Sequence, residues 1–497
     1  MKESYDVVVV GGGGSGLATA VSAVDRGASV LVLEKLPHLG GTTGIAVGSF
    51  TASRTRLQQG GNIHDDLEAH AEDIARFAPA DIESRNNEEL RRFFLTHAGD
   101  TLDWLMGMGL RFYGPSPEPP NRVPRMHNVV PNARAYIATL QARFLRKGGT
   151  ILCDAPVEDL VRAGRGVSGV VAGVNGIRRE FVAGRGVVLA AGDYANSPEI
   201  IGRYKGVRYA DIEGINPYAT GDGHLLAERA GARLLNMDVT YGPEIRFVAP
   251  PGKAFLQLLP TRGPLAVLLG RLVPLVPQVV MNLAIKRLLV TWQHPENALF
   301  DDGALLVNRN GERFCDETVW PDREIAIARQ PDKVCYILLD ARLIETYGKW
   351  PHFISTAPEI AYAYVRDYLT LRPDVAVRGR SLRELADRRG IPAARLEATV
   401  DAGNRELQAA GRPALMGGEW VLLGPAKAYF TSTDGCVAVN QQCQVLDAAD
   451  QPIGGLYAVG SNGLGGQILW SHGTHIAWAL TSGRLCGRTL AENPNWR

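Results

Sequence analysis

Cysteine is scarce in this chain and its thiols are scattered. Cys153, Cys315, Cys335, Cys436, Cys443 and Cys486 form no CxxC or CxxCH pair, which leaves out the usual spacings for structural zinc, an iron–sulfur cluster or attached c-type haem. Free thiols in a reducing compartment, and no metal site, are the expectation. Excess charge of either sign is lacking too. Lys and Arg number 53 against 52 Asp and Glu, a net charge of +1, so nothing points to nucleic acid or to an acidic partner. Long hydrophobic runs are also absent. The greasiest segment, 262–292, has a charge-free stretch of 14 residues from Leu272 to Ile285, broken by Pro274 and Pro277. A membrane-spanning helix needs roughly 20 apolar residues. The segment is expected to be core or subunit interface, a wall for an apolar substrate, or a peripheral membrane contact with Arg271, Lys286 and Arg287 reaching for headgroups. No basic-then-apolar leader is recognisable, so the expected location is cytoplasmic, with membrane association as the alternative.

What is present begins at once. At 497 residues the chain is too long for one ordinary domain. YDVVVV reads as a strand buried on both faces, GGGGSGLATAVSAVDRG as a Gly-rich turn and helix, and ASVLVLEK as a second strand. Gly11, Gly13 and Gly16 fit GxGxxG, and Glu34 lies 23 positions after Gly11. Gly11 permits the tight turn, Gly13 lets the backbone approach a pyrophosphate, and Gly16 allows close helix–strand packing. The N–H groups at the helix start, around Gly14 and Ser15, face the phosphate charge, and Glu34 can accept hydrogen bonds from ribose hydroxyls.

A second Gly-Gly-Thr-Thr turn, in LPHLGGTTGIAVGSF, exceeds what a simple NAD domain requires. With it come VVLAAGDYANSPEII (187–201), ATGDGHLLAERAGA (219–232), LLVNRNGERFCDE (305–317) and GGLYAVGSNGLGG (454–466). In these five ordered motifs the chain resembles the FAD-dependent fumarate reductase and succinate dehydrogenase flavoproteins, closest to their 3-ketosteroid dehydrogenase-like branch. The resemblance implies an α/β fold. A discontinuous Rossmann-type FAD-binding domain (1–240 and 425–497) would carry an inserted α+β capping domain (241–424). It also implies that FAD is held by Gly11, Gly13, Gly14, Ser15, Gly16, Glu34, Lys35, Gly41, Thr42, Thr43, Val157, Ala191, Gly192, Asp222, Gly460 and Gly473. The last helix would aim its N-terminus at the pyrimidine side of the isoalloxazine, with Gly465, Gly466 and Gly473 letting main chain lie against the ring. No histidine occupies the Gly-Gly-Thr-Thr turn and His38 reads as a solvated turn residue, so non-covalent FAD is expected.

Elsewhere, residues 60–110 read as helices, YGPSPEPPNRVPRM as a loop too proline-dense for regular structure, and 166–192 as a meander turning at Asn175-Gly176. Members of the family move hydride between flavin N5 and a carbon of an activated C–C bond. The carboxylate clamp of the fumarate reductases is substituted: Pro321 stands for the proton-donating arginine, Ser432-Thr433-Asp434-Gly435-Cys436 for His-Thr-x-Gly-Gly, and Trp470-Ser471 for Asn-Arg. A small dianion would find little to pair with. The catalytic tyrosines of the ketosteroid branch are replaced as well, by Trp320 or Pro321 and by Trp470-Ser471-His472-Gly473. Acid–base candidates are His472, whose imidazole titrates near neutrality, then Tyr241 and Arg323. Tyr113 and Tyr136 could line the pocket. Their bland alternatives are a helix-capping histidine, a half-buried core tyrosine and a surface ion pair of Arg323 with Glu324 or Asp322.

The expected activity is dehydrogenation, or in reverse reduction, of a C–C bond beside a carbonyl in a bulky apolar, ketosteroid-like substrate. The alternatives are an ene-reductase for an unsaturated acid and a non-catalytic flavin electron carrier. With no second GxGxxG between strand and helix, the electron donor or acceptor is expected to be external.

Overall fold

YDVVVV and VLVL are apolar on both faces, and they pair as parallel strands at the centre of a sheet covered on both sides. The computed structural model describes residues 3–250, 252, 259–261 and 278–492. In it, β1 (Glu3–Val10) turns through Gly11–Gly13 into α1 (Gly14–Val24) and the chain returns as β2 (Val30–Leu33). β3 (Thr150–Leu152) lies beside β2, β4 (Ile177–Leu189) lies beside β1, and the late strand Pro452–Ala458 lies beside β4, all parallel. Val7, Val8 and Val9 face Gly186, Val187 and Val188, and all three valines are fully buried. Strands Val157–Ala163 and Gly166–Val174 extend β4 antiparallel. Their hairpin to β4 turns at Asn175 and Gly176, with φ of 53° and 75°, the left-handed pair a two-residue turn requires.

The two ends of the chain close on each other through helices. α2 (Thr474–Glu492) runs along α1, and a Cβ on Gly483 or Gly487 would run into the carbonyl oxygens of Ser15 and Thr19. The glycines therefore set how closely these helices approach.

A second core is built on a mostly antiparallel sheet. β5 (Glu244–Phe247), β6 (Cys335–Leu339) and the long β7 (Trp420–Phe430) are joined there by Leu305–Val307 and Ala376–Gly379. This core also takes in Tyr194, Ile200, Ile201 and Ile212, ahead of the boundary expected at 241.

One sequence expectation needs correction. The proline-dense stretch is not irregular throughout: Arg111–Ser116 and Met126–Val130 pair antiparallel, with a bulge between Tyr113 and Ser116. Arg111–Ser116 is the edge of a three-stranded sheet, where a proline removes no needed donor. Of the apolar segment 262–292, residues 262–277 lie outside the described residues. Its remainder forms helix Gln278–Trp292, with Leu289 and Val290 buried and Lys286 donating to Asp367 at 3.0 Å. Lys286 is thus spent on a protein carboxylate. Among the described residues no helix is long and apolar enough to cross a membrane.

Candidate functional site

The turn after β1 opens on a cavity of about 780 Å³. Its wall includes Gly11, Gly13, Gly14, Ser15, Glu34, Lys35, Gly41, Thr42, Thr43, Val157, Ala191, Gly192 and Asp222, which the sequence singled out for the cofactor. The residue before α1 is Gly13, and no side chain caps the helix, so its first N–H groups have no side-chain acceptor. That arrangement suits an anion. Glu34 is fixed at the end of β2, its carboxylate accepting from the N–H groups of Gly12 (2.8 Å) and Leu36 (3.0 Å). Lys35 donates to Thr220 (2.7 Å) and Asp222 (2.8 Å), so this pair joins the two sides of the rim. His38 is exposed on the same rim. The groove thus offers uncapped N–H groups for phosphates, a carboxylate at a strand end and glycine walls, and a dinucleotide fits it.

Three of the singled-out glycines are absent from this wall. A Cβ on Gly16 would strike the Gly11 carbonyl oxygen. On Gly460 it would lie 2.6 Å from Ser15 Oγ, and on Gly473 2.9 Å from Thr51 Oγ1. Their lack of a side chain serves protein packing. The same holds for Gly465, where a Cβ would meet Leu90 at 2.5 Å, whereas at Gly466 the nearest atom, the end of Leu235, stands 3.3 Å away and could yield.

A second cluster forms just before α2. His472 Nδ1 and its backbone N–H both lie 2.7 Å from Glu118 Oε1, and Ser471 Oγ donates to Glu118 Oε2 at 2.9 Å. Glu118 is 6 % exposed, whereas the His472 side chain keeps 56 % of its surface open. Desolvation where the ring packs against protein pulls this otherwise open imidazole down, but the hydrogen bond to Glu118, then the charges of Glu118 and Glu244, leave its pKa raised. Tyr241 stands edge-on to Trp470, ring centroids 5.3 Å apart, and burial pushes its phenol up to about 12. Glu244 carries Arg246 at 2.8 Å. Tyr241, Trp470 and Glu244 line a second cavity of about 470 Å³, between segment 77–85 and residues 294–324.

Arg323 also lines that cavity, but it is not a surface residue. Its guanidinium donates to Glu324 (2.9 and 2.5 Å), the Glu317 carbonyl (2.9 Å) and Asn297 (2.8 Å). It also lies 4.5 Å over the Phe300 ring. These bonds use most of its five donors on protein. Tyr136 is fully buried and donates to Gly48 O at 3.0 Å, while Tyr113 pairs with Asn128 in its strand. Neither is among the residues lining the two cavities. Sequence reasoning missed Glu118, 354 residues before its partner. The available signal was a lone acid inside SPEPP.

A family model described as FAD binding domain matches residues 6–251 and 271–469. The NADH:fumarate oxidoreductase of Klebsiella pneumoniae (strain 342) is 27% identical over 99% of this chain, which spans 48% of that protein's length. The open conformation of a flavocytochrome c3 fumarate reductase superposes with a TM-score of 0.71 at 24% identity, covering 98% of this chain and 78% of that one. The 3-ketosteroid delta1-dehydrogenase from Sterolibacterium denitrificans gives 0.63 at 19% identity, covering 99% and 100%. At these identities the two structures speak to the fold alone.

Proposed function

Since the chain belongs to the FAD binding domain family, we propose that it is an FAD-dependent oxidoreductase. It dehydrogenates, or in reverse reduces, a C–C bond beside a carbonyl in a bulky, largely apolar substrate. The first cavity would hold FAD non-covalently, with its phosphates at the uncapped start of α1 and its ribose at Glu34. When bound, FAD supplies a two-electron acceptor or donor for hydride. The observation that carries the reading is the convergence of Tyr241, Trp470 and the Glu118–His472 pair immediately before α2.

Each side chain has a distinct task. Nδ1 of His472 is committed to Glu118, which fixes the tautomer and leaves Nε2 to give or take the substrate proton. Tyr241 stays protonated across the physiological range and can donate to a carbonyl oxygen. Trp470 and Tyr241 present aromatic walls to a carbon skeleton. Both arginines lining the second cavity are matched in place, Arg85 to Asp238 (2.6 Å) and Arg323 to Glu324 (2.5 Å), as is Arg246 to the lining Glu244 (2.8 Å), while Lys205 on the same wall donates to the Asp238 carbonyl (3.3 Å). Such pairing favours a neutral carbonyl compound over a dicarboxylate, which would have to compete for those arginines.

One observation favours a second reading. The fumarate oxidoreductase relative is similar along 99% of this chain, so reduction of an unsaturated acid is the alternative, with Lys205 on the wall of the second cavity as a cation that could receive a carboxylate. The chain spans about half of that relative's length, and either reading includes an external electron partner. Anaerobic mixing separates them. Bleaching of bound oxidised FAD by a saturated cyclic ketone supports the first, and reoxidation of reduced FAD by an enoate but not by a cyclic enone supports the second. A flavin spectrum unmoved by either class leaves an electron carrier.

A further inference from the structure

Apart from Tyr241 and His472, three titratable side chains act on one another through charge, one of them on the wall of the first cavity. Asp193, in the turn after β4, lines that cavity and is 4 % exposed. Asp434 is fully buried, and its Oδ1 lies 3.0 Å from Nε2 of His475 in the first turn of α2. Neither Asp434 oxygen makes a hydrogen bond of good geometry, and nor does His475 Nε2. The carboxylate end of the pair is buried in protein, where its charge and that of the imidazole act on each other with little screening. Two buried carboxylates beside a single imidazole, of which Asp434 pairs with the ring directly and Asp193 acts on it through charge, cannot all ionise without cost. Burial, followed by the charge of Asp434, outweighs the Ala195 N–H bond and pushes the Asp193 carboxyl up to about 6. For His475, burial acts downward but the bond and charge of Asp434, then Asp193, leave it raised. The other titratable groups facing the cluster are Tyr194 and Cys436, both kept protonated by burial.

We propose that the Asp193–His475–Asp434 cluster takes up one proton when FAD in the adjoining cavity is reduced and releases it on reoxidation. The inference rests on the FAD reading above. A two-electron reductant (substrate, or dithionite in the test below) would supply two electrons to the flavin, which takes its own proton and gains one net negative charge; one further proton passes from solvent to an Asp193 carboxylate oxygen, forming an O–H bond, and reoxidation releases both protons and both electrons. The cause is Coulombic. Negative charge added inside a cavity walled by Asp193 raises that carboxyl's proton affinity, because burial screens the two charges poorly. Over the pH range between the oxidised-state and reduced-state affinities, reduction then draws in one extra proton per two electrons. Each pH unit changes the reduction equilibrium a further tenfold, which for a two-electron couple is 29.6 mV.

The test is the midpoint potential of FAD-reconstituted protein, measured with dithionite and equilibrating dyes from about pH 5 to about pH 8. The wild type is expected to show the additional tenfold-per-unit slope beginning near the Asp193 range. Asp193→Asn should lose it. His475→Gln, which removes the neighbouring cation, should move its onset to higher pH, and His472→Asn should keep it. Equal slopes in wild type and Asp193→Asn overturn the inference, as does a step that vanishes with His472 instead. If Asp193→Asn fails to retain FAD, an unmoved onset in His475→Gln overturns it on its own. A wild-type protein that binds no FAD sinks the functional reading itself, a result distinct from any slope.

Discussion

At the scale of single residues, local spacing made the nucleotide turn readable and distance hid the acid–base pair. Gly11, Gly13, Gly16 and Glu34 lie within 24 residues and each answers a separate geometric need, so their roles could be reasoned out in order. Glu118 offered no such pattern, because only the folded loop brings it to His472. The pair yields a specific expectation. Glu118→Gln removes the charged partner that holds the His472 pKa up. The His472 inflection in the pH–rate profile should therefore move to lower pH. Reduction, which needs the protonated imidazole, should then fail at lower pH, and dehydrogenation should switch on at lower pH. His472→Asn should cost about 10²-fold or more in kcat and erase that inflection. An inflection unchanged in Glu118→Gln would remove Glu118 from the account. Gly16→Ala is a harsher change: its Cβ meets the backbone of Gly11. It should abolish FAD retention, measured as flavin absorbance co-eluting with protein.

The elements show why the loop carrying Glu118 was unreadable from composition. Proline density argued against order, yet the loop between Arg111–Ser116 and Met126–Val130 is pinned by ions buried beneath it. Arg125 is fully buried and donates to Asp65 (2.8 and 2.7 Å) and Asp73 (2.5 Å), while Arg122 donates to Asp73 from the rim (2.9 Å). Hydrogen bonds from Arg122, Arg125 and Arg76 outweigh burial and hold the Asp73 carboxyl at about 2. Removing one partner of such a network leaves uncompensated buried charge. Arg125→Met should destabilise the protein by about 3–5 kcal/mol in chemical denaturation. It should also displace the His472 inflection as Glu118→Gln does, since the loop positions Glu118. A variant that loses stability but keeps the wild-type pH profile would show that the loop holds its place without this anchor. The strands of the parallel sheet were legible because their β-branched runs are buried on both faces. The glycines before α2 were assigned to the cofactor ring, whereas at Gly465 and Gly473 Leu90 and Thr51 occupy the space a side chain would need.

For the molecule as a whole, the return of the late chain to the first sheet, where Pro452–Ala458 pairs with β4, was legible from the nucleotide-domain motifs near its end. The extent of the second core was less so, because Tyr194 to Ile212 adjoin the first sheet in sequence yet pack into the second cluster. Global stability should carry an acid signature from histidines buried as neutral rings. Burial lowers His127 and His224 from 6.5 to about 4, and His70 well below 6.5. In the unfolded chain they charge below 6.5, so the folded state loses stability as pH falls from 6.5 toward 4. The loss is about 3 kcal/mol for each of His127 and His224. Asp193, raised in the fold, works against this in the same range, and the raised His472 and His475 withdraw their contribution only as pH climbs above 6.5. Denaturant midpoints should peak near neutrality and fall steeply on the acid side, with a shallower acid limb in His224→Gln. The most direct test of the central claim is an anaerobic titration of FAD-reconstituted wild type and His472→Asn with saturated and α,β-unsaturated cyclic ketones, followed by flavin absorbance. The account predicts that the wild-type flavin bleaches with the saturated ketone, or recolours from the reduced state with the enone, and that His472→Asn does so about 10²-fold more slowly. A flavin that binds but exchanges no electrons with either ketone, or a His472→Asn variant as fast as wild type, would contradict it.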